Sequence, residues 1–147
     1  MTAALEVVVA TGDLLEEWRA IHNAIIPSAP LSAAEVAERA ARNRQTLAYV
    51  NGELVGNATV RPPTGLGRVA TVIVRILPEH RCRGLGSAYF EAELAQARSA
   101  GAVRIETVVL ASNQEGLRFA LARGFVEHDR YLLEGDTIPF IDLHLQG

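Results

Sequence analysis

The sequence predicts an α/β (α+β) fold, with a single mixed central sheet of roughly six to seven strands flanked by about four helices. Valine- and isoleucine-rich runs of strand length alternate with longer stretches whose apolar residues recur at helical spacing. Asn51-Gly52 stands between two apolar runs and supplies the positive φ angles of a tight hairpin turn. With 147 residues and no linker or repeat, we expect one domain over 1–147.

The first third of the chain predicts one strand and two helices. A short valine-rich run over 5–10 has the length and composition of a strand. Asp13 has the residue type of a helix N-cap, and two prolines close the helical pattern that follows it. Ser32 and Glu35 form the signature of a capping box, which predicts a second helix running to about Arg44.

The middle of the chain predicts a hairpin and a long strand. Strands over 46–50 and 53–60 are joined by Asn51-Gly52, and the proline-rich segment 61–67 is predicted to be a loop. The strand over 68–77 has apolar residues on both faces, which is typical of a central, buried position. The remaining predicted elements are a helix over 85–100 capped by Gly101, a strand over 103–110, a helix from Ser112 to Gly124, and strands over 125–133 and 137–145.

Composition excludes several classes of function. A formal net charge of −3 argues against a nucleic-acid partner. Cys82 is the only cysteine, so an internal disulfide is excluded, and the four histidines lack ligand spacing, so we predict no metal site. No run of about 18 apolar residues and no signal peptide is present, so we expect no membrane partner and a cytoplasmic location.

A basic turn follows the predicted central strand. The strand stops at Pro78, Arg81 and Arg83 come next, and Gly84-x-Gly86 opens a helical pattern. Amide N–H groups at a helix start lack intrahelical partners and lie at the positive end of the helix dipole. With two guanidinium groups beside them, they predict a phosphate cradle. The alternative is that the glycines serve only the turn and its packing. A dinucleotide fingerprint fits less well, because its third glycine would fall at Tyr89.

These residues resemble a known family. Arg81-x-x-Gly84-x-Gly86 is preceded by Ile76-x-Pro78 and followed by Asn113 and Gly124-Phe125. Together they resemble the acyl-CoA-binding motif of GNAT-type N-acyltransferases, most strongly over about 46–125. The resemblance implies the GNAT fold, with acetyl-CoA as co-substrate.

The resemblance also implies roles for single residues. In that family the central strand lies beside the pantetheine arm, and a main-chain N–H on it stabilises the oxyanion, which places that donor at Ile76. The loop and helix start hold the pyrophosphate. The residues implied to bind the cofactor are Val74, Ile76, Arg81, Cys82, Arg83, Gly84, Leu85, Gly86, Ser87, Asn113 and Phe119.

The acid and base are less well marked. The tyrosine that often protonates the coenzyme thiolate would fall at Ala120, so Ser112 and Tyr131 are the candidate substitutes. Glu106 is the candidate base, because a carboxylate among apolar strand residues is costly to bury without a purpose or a partner. The alternative is that Glu106 pairs with an arginine such as Arg104 or faces solvent.

The helical pair after the first strand forms one wall of the acceptor site in the family. Trp18, His22 and Ile26 are therefore candidates for substrate contact, and the competing interpretation is that Trp18 packs in the core. His80 lies beside the cradle and is expected at the surface.

The leading hypothesis is an N-acetyltransferase that moves an acetyl group from acetyl-CoA directly to a primary amine, without a covalent enzyme intermediate. The expected partner is an amine acceptor, either a small molecule or a peptide, and a homodimer is compatible with the sequence. The alternative is a non-catalytic GNAT-fold module that binds acyl-CoA as a sensor or assembly partner. A third interpretation is an ordinary α/β domain whose Gly-x-Gly is purely structural.

Overall fold

A computed structural model of the chain describes residues 4–81, 83–135 and 137–145. Over these residues the chain forms seven strands and four α-helices, in agreement with the predicted fold class. The elements are β1 (Leu5–Val9), α1 (Leu14–Ile25), α2 (Ala33–Arg42), β2 (Arg44–Val50), β3 (Glu53–Thr64), β4 (Val69–Ile76), α3 (Leu85–Ser99), β5 (Arg104–Leu110), α4 (Gln114–Ala122), β6 (Phe125–Tyr131) and β7 (Phe140–Leu145).

All seven strands belong to one mixed sheet, in the order β1-β2-β3-β4-β5-β7-β6. Every neighbouring pair is antiparallel except β4 and β5, which run parallel. A parallel pair needs a crossover connection, and α3 supplies it. β4 is the middle strand, which confirms the central position predicted for the apolar run after residue 68.

Helices cover both faces of the sheet. Phe90 and Leu94 of α3, with Ala120 of α4, pack against apolar residues of β4, β5 and β7. On the other face, Trp18 of α1 and Val36 of α2 belong to an apolar cluster that includes Leu47 of β2. Trp18 is only 1% exposed, and its Nε1 donates to the carbonyl of Ala58 at 3.1 Å, so the interpretation of Trp18 as a core residue is confirmed.

One of the three predicted N-terminal helix caps is confirmed by its side-chain hydrogen bonds. Ser32 accepts from the Glu35 amide at 3.2 Å while the Glu35 carboxylate accepts from the Ser32 amide, which completes the capping box. Asp13 stands at the N-cap of α1 but adopts helical angles and makes no side-chain cap bond. The cap predicted at Ser112 is wrong, because Asn113 Oδ1 accepts from the Gly116 amide at 2.9 Å. Asn113 lies three residues before that amide, which is the spacing an N-cap requires.

The predicted hairpin is present, with φ of 52° at Asn51 and 77° at Gly52. The loop predicted over 61–67 is wrong in part, because β3 continues to Thr64. Its two prolines lie where the β3–β4 register is interrupted, between Arg61 and Thr64, so the ladder does not require their missing N–H groups. Among the described residues, no helix is long and apolar enough to cross a membrane.

Candidate functional site

The central sheet opens between β4 and β5. The paired residues of these strands are Val69 with Arg104, Ala70 with Ile105, and Thr71 with Glu106, and within the described chain the ladder stops there. β4 continues for five residues beyond Thr71, to Ile76. The second half of β4 therefore borders a gap in the sheet.

The register of β4 against β3 shows which main-chain groups face this gap. The Leu77 amide donates to the Val55 carbonyl at 2.9 Å, so Leu77 faces β3. Main-chain groups alternate in direction along a strand, so those of Val74 and Ile76 point away from β3 and into the gap. The Ile76 carbonyl accepts from Arg81 Nε at 2.9 Å, and its N–H remains directed into the opening.

Helix α3 begins beside the gap. Gly84 is its N-cap residue and has a φ of 76°, a left-handed conformation that glycine adopts without strain. The first amides of α3, at Leu85, Gly86 and Ser87, have no intrahelical acceptor. A Cβ on Gly86 would lie 3.5 Å from Phe119 and 3.8 Å from Ile76, which are ordinary van der Waals distances, so packing within the protein does not by itself require glycine at this position.

The two cradle arginines differ in their surroundings. Arg81 is bound by its own chain, since Nη1 also donates to Glu115 at 3.2 Å. Arg83 is exposed and forms no ion pair with any described residue. It lines a cavity of about 280 Å³ that is shared with Val50, Asn51, Glu53, Val55, His80 and Leu85.

His80 is buried, at 7% exposure, and not at the surface as expected from the sequence. The short 3₁₀ turn Pro78–His80 reverses the chain after β4 and brings the ring back to the β2–β3 hairpin. His80 Nε2 lies 3.3 Å from a Glu53 carboxylate oxygen.

Several residues implied to bind the cofactor have partners within the protein. Ser87 Oγ accepts from Arg123 at 3.1 Å, the Asn113 side chain caps α4, and Phe119 packs edge-on against Phe90. Leu85 and Val74 are partly buried against the core. Cys82 lies outside the described residues. Roles for these residues in cofactor binding stay predictions.

Glu106, the candidate base, pairs with a histidine and not with Arg104. Glu106 Oε1 lies 2.9 Å from His144 Nε2, and the His144 ring stacks on His128. Glu106 is level with Thr71, five residues before Ile76, which is about 16 Å along the strand. Any proton transfer from the gap beside Ile76 to Glu106 would therefore have to pass through water.

The two candidate acids lie in different settings. Ser112 is exposed in the turn after β5. Tyr131 stacks on Phe140, and partial burial together with the Asp142 carboxylate raises its pKa, so the phenol is protonated at neutral pH. Ala120, the position of the family tyrosine, is 3% exposed and packs within the core.

Sequence reasoning missed a group of arginines on the α2 side of β4. A cavity of about 180 Å³ is lined by Arg39, Arg42, Asn43, Thr59, Arg61, Ile73 and Arg75. Arg75 belongs to the predicted central strand, and its side chain projects from the face of β4 that packs under α2. One signal was available, since alternation along a strand places Thr71, Ile73 and Arg75 on one face.

Two titratable groups on this face of the sheet, His22 and Arg75, have pKa values shifted from their ordinary values. Burial, followed by the charge of Arg75, lowers the pKa of His22 to about 4, so its ring is neutral at physiological pH. Burial also lowers the pKa of Arg75 to about 10, with a smaller contribution from Arg39 and Arg61. In the described part of the chain, no group of three or more histidine, cysteine or carboxylate residues is arranged to hold a metal ion.

Comparison with known proteins agrees with the geometry. Residues 12–125 match a family described as the acetyltransferase (GNAT) family. No curated protein matches the chain at the level of sequence.

Solved structures share the fold. A candidate phosphinothricin N-acetyltransferase superposes with a TM-score of 0.81 at 21% identity, over 97% of this chain and 98% of that one. A candidate acetyltransferase from Salmonella typhimurium, yncA, solved with its cofactor acetyl-CoA, has a TM-score of 0.75 at 17% identity, over 97% and 94% of the two chains. An N-acetyltransferase from Staphylococcus aureus Mu50 has a TM-score of 0.75 at 14% identity, over 97% and 98%.

Proposed function

The chain belongs to the GNAT acetyltransferase family, and from this premise we propose that it transfers an acetyl group from acetyl-CoA directly to a primary amine. The observation that carries the proposal is the gap in the sheet. The β4–β5 ladder ends at Thr71, so main-chain groups of Val74 and Ile76 face an opening beside the start of α3. An extended ligand with amide groups can pair with such a strand edge, as a further strand would.

The residues present fit acetyl-CoA. The pantetheine arm carries amides that match the main-chain groups of Val74 and Ile76. The pyrophosphate matches the free amides at the start of α3 and the exposed guanidinium of Arg83. A fold neighbour solved with acetyl-CoA supports the same donor.

The proposed acetyl transfer depends mainly on a main-chain donor and requires few side-chain groups. The amine nitrogen forms a bond to the thioester carbon, negative charge develops on the carbonyl oxygen, and the C–S bond then breaks. An N–H directed at that oxygen stabilises the charge, and the Ile76 amide is the donor we assign. The leaving group is the thiolate of coenzyme A, and a thiol with a pKa of ~8.5 can leave as the thiolate without obligatory protonation. The absence of a tyrosine at residue 120 is therefore tolerable.

The proton steps use the remaining candidates. The attacking amine must lose a proton, which we route through water towards Glu106, held by His144. Tyr131 keeps its proton at neutral pH and is the candidate acid that we assign to the departing sulfur. Ser112 is the alternative.

The experiment is thiol release from acetyl-CoA in the presence of a panel of primary amines, with acetyl-CoA binding measured separately by calorimetry. The proposal predicts saturable binding and amine-dependent release of one thiol per acetylated amine. Binding without release on a broad panel would favour the non-catalytic acyl-CoA module. Absence of binding would reject both and leave the Gly84-x-Gly86 turn as a structural feature.

A further inference from the structure

The arginine cavity is a concentration of positive charge in a protein of net charge −3. Four of its lining residues are arginines, contributed by α2, β3 and β4, and they surround a volume of about 180 Å³. They are Arg39, Arg42, Arg61 and Arg75. Since like charges repel, such a grouping is unfavourable unless an anion is present to offset it.

Arg75 forms the inner wall and meets only neutral partners. Its Nη1 donates to Asn57 Oδ1 at 3.2 Å and to Thr59 Oγ1 at 3.4 Å. The guanidinium carbon lies 5.5 Å from the centre of the Trp18 ring. Arg75 Nε is buried and has no hydrogen-bond acceptor among the described residues. A buried guanidinium N–H of this kind is costly to leave without an acceptor.

Among the described residues, carboxylates neutralise the group only in part, and no salt bridge reaches Arg39, Arg61 or Arg75. Glu38 pairs with Arg42 at 3.0 Å on the exposed side of α2. Glu35, the other acid near Arg39, is used in the capping box with Ser32. Burial, followed by the charges of Arg61 and Arg42, lowers the pKa of Arg39, while Glu35 and Glu38 oppose this shift.

The position of the cavity connects it to the proposed reaction. Arg75 stands between Val74 and Ile76 on β4, about 4 Å from the Cα atom of either neighbour. Its neighbours direct main-chain groups into the gap, while its side chain reaches the α2 face. An acceptor molecule bound on this face could therefore hold an anionic group on the arginines and present its amine towards the gap.

We propose that the acceptor is an amine that also carries an oxyacid group, a carboxylate, phosphonate or phosphinate, and that Arg39, Arg61 and Arg75 bind this group. The inference rests on the proposed acetyltransferase function and names its substrate class. Planar guanidinium groups match the paired oxygens of such anions. The small volume suits one anionic head group better than a long acidic segment.

The first test compares matched amines in the thiol-release assay. Each pair holds the amine and chain length constant and removes the charge: β-alanine against β-alaninamide, and 2-aminoethylphosphonate against its diethyl ester. We expect kcat/KM for the charged member to exceed that of the neutral one at least tenfold. Comparison of the carboxylate pair with the phosphonate pair shows which oxyacid is preferred. Equal or lower kcat/KM for the charged members would overturn the proposal.

The second test uses variants at the cavity. Arg61→Met and Arg39→Met should each raise KM for the charged acceptors at least tenfold while leaving the KM for neutral amines and the affinity for acetyl-CoA unchanged. Arg98→Met, which removes an exposed arginine at the far end of α3, is the matched control and should change neither constant. If Arg61→Met instead weakens acetyl-CoA binding, the cavity serves the cofactor and the proposal is wrong.

A third measurement separates this inference from the enzymatic function. Trp18 is the only tryptophan and lies against Arg75, so its fluorescence reports occupancy of the cavity. Titration with methylphosphonate and with acetate should give a saturable change that is lost in Arg61→Met and kept in Arg98→Met. If no amine is acetylated but this binding persists, the anion site stands and the acetyltransferase function fails. If amines are acetylated without a charge preference and the fluorescence does not respond, only the anion site fails.

Discussion

Arg81 and Arg83 show how two residues of the same type, two positions apart, take different roles. Arg81 holds the Ile76 carbonyl and Glu115, so its loss would disturb the end of β4 as well as any ligand. Arg83 is exposed and forms no ion pair in the described part of the chain. A substitution at Arg83 therefore isolates ligand binding from folding.

We expect Arg83→Ala to weaken acetyl-CoA binding about tenfold or more, because a charge-assisted contact to phosphate is worth roughly 1.5–3 kcal/mol. The melting temperature should stay within a degree or two of the parent. Calorimetric titration measures the affinity, with Arg98→Ala as a control for loss of one exposed positive charge. Unchanged affinity in folded Arg83→Ala would remove this residue from the cradle.

Sequence reasoning at the residue scale succeeded where the signal was local. The capping box at Ser32 and the Asn51-Gly52 turn depend on a few consecutive residues, and both are present. The burial of His80 was missed, because it depends on how a turn folds onto a hairpin whose contacting residue, Glu53, lies 27 residues earlier in the chain. Local patterns carry no information about such contacts.

At the scale of elements, α3 is held on the sheet by a buried polar network as well as by apolar packing. Glu93 has a fully buried side chain and accepts from Arg44 Nε at 3.0 Å and from Thr46 Oγ1 at 3.3 Å. Thr46 also lies 2.6 Å from the Tyr89 hydroxyl. The network joins the middle of α3 to β2.

We expect Glu93→Ala to lower the free energy of unfolding by about 3 kcal/mol, because it leaves Arg44 without its carboxylate in a partly buried setting. The double variant Arg44→Met/Glu93→Leu should recover most of that loss, since it removes both charges together. Urea denaturation measures both values. Glu38→Ala, which breaks an exposed ion pair on α2, is the control and should cost less than about 1 kcal/mol. A cost for Glu93→Ala no larger than for this control would show that the network does not anchor α3.

Element types were predictable, and element ends less so. The sequence predicted every strand and helix of the sheet in order, because hydrophobic periodicity is repeated over many residues. The end of β3 was misplaced, since two prolines normally stop a strand and their tolerance here depends on a register break against β4. Strand order also depends on long-range pairing, so the insertion of β7 between β5 and β6 could not be derived from spacing alone.

At the scale of the whole molecule, the buried neutral ring of His22 makes stability depend on pH. Burial, and next Arg75, lower its pKa from 6.5 to about 4 in the folded protein. Between these values the unfolded chain binds a proton that the folded protein does not, so stability falls as the pH falls from about 6.5 to about 4 and the loss levels off below.

We expect the parent to lose about 2–3 kcal/mol more unfolding free energy than His22→Phe between pH 7 and pH 4.5. Urea denaturation of both proteins at the two pH values gives the difference, and this subtraction removes the contribution of the carboxylates common to both. An equal loss in both proteins would show that His22 is not the source of the acid sensitivity.

The candidate site was predictable in part, and the division has a physical basis. The turn and helix start that follow β4 are contiguous in sequence, so their chemistry could be seen in Arg81 to Ser87. The arginine cavity is assembled from residues up to 36 positions apart, from Arg39 to Arg75, and exists only after α2 docks on the sheet. The gap itself is a property of two strands that diverge, and no single segment encodes it.

The central claim is that the gap beside β4 binds acetyl-CoA through main-chain groups, and amide hydrogen exchange followed by NMR tests it most directly. In the free protein, protection should alternate along β4: slow exchange at Ile73 and Arg75, which face β3, and faster exchange at Val74 and Ile76, which face the gap. Saturating acetyl-CoA should slow the exchange of the Val74 and Ile76 amides to the rate of the Ile73 and Arg75 amides, so that the alternation disappears. Persistence of the alternation in the presence of bound acetyl-CoA would contradict the account.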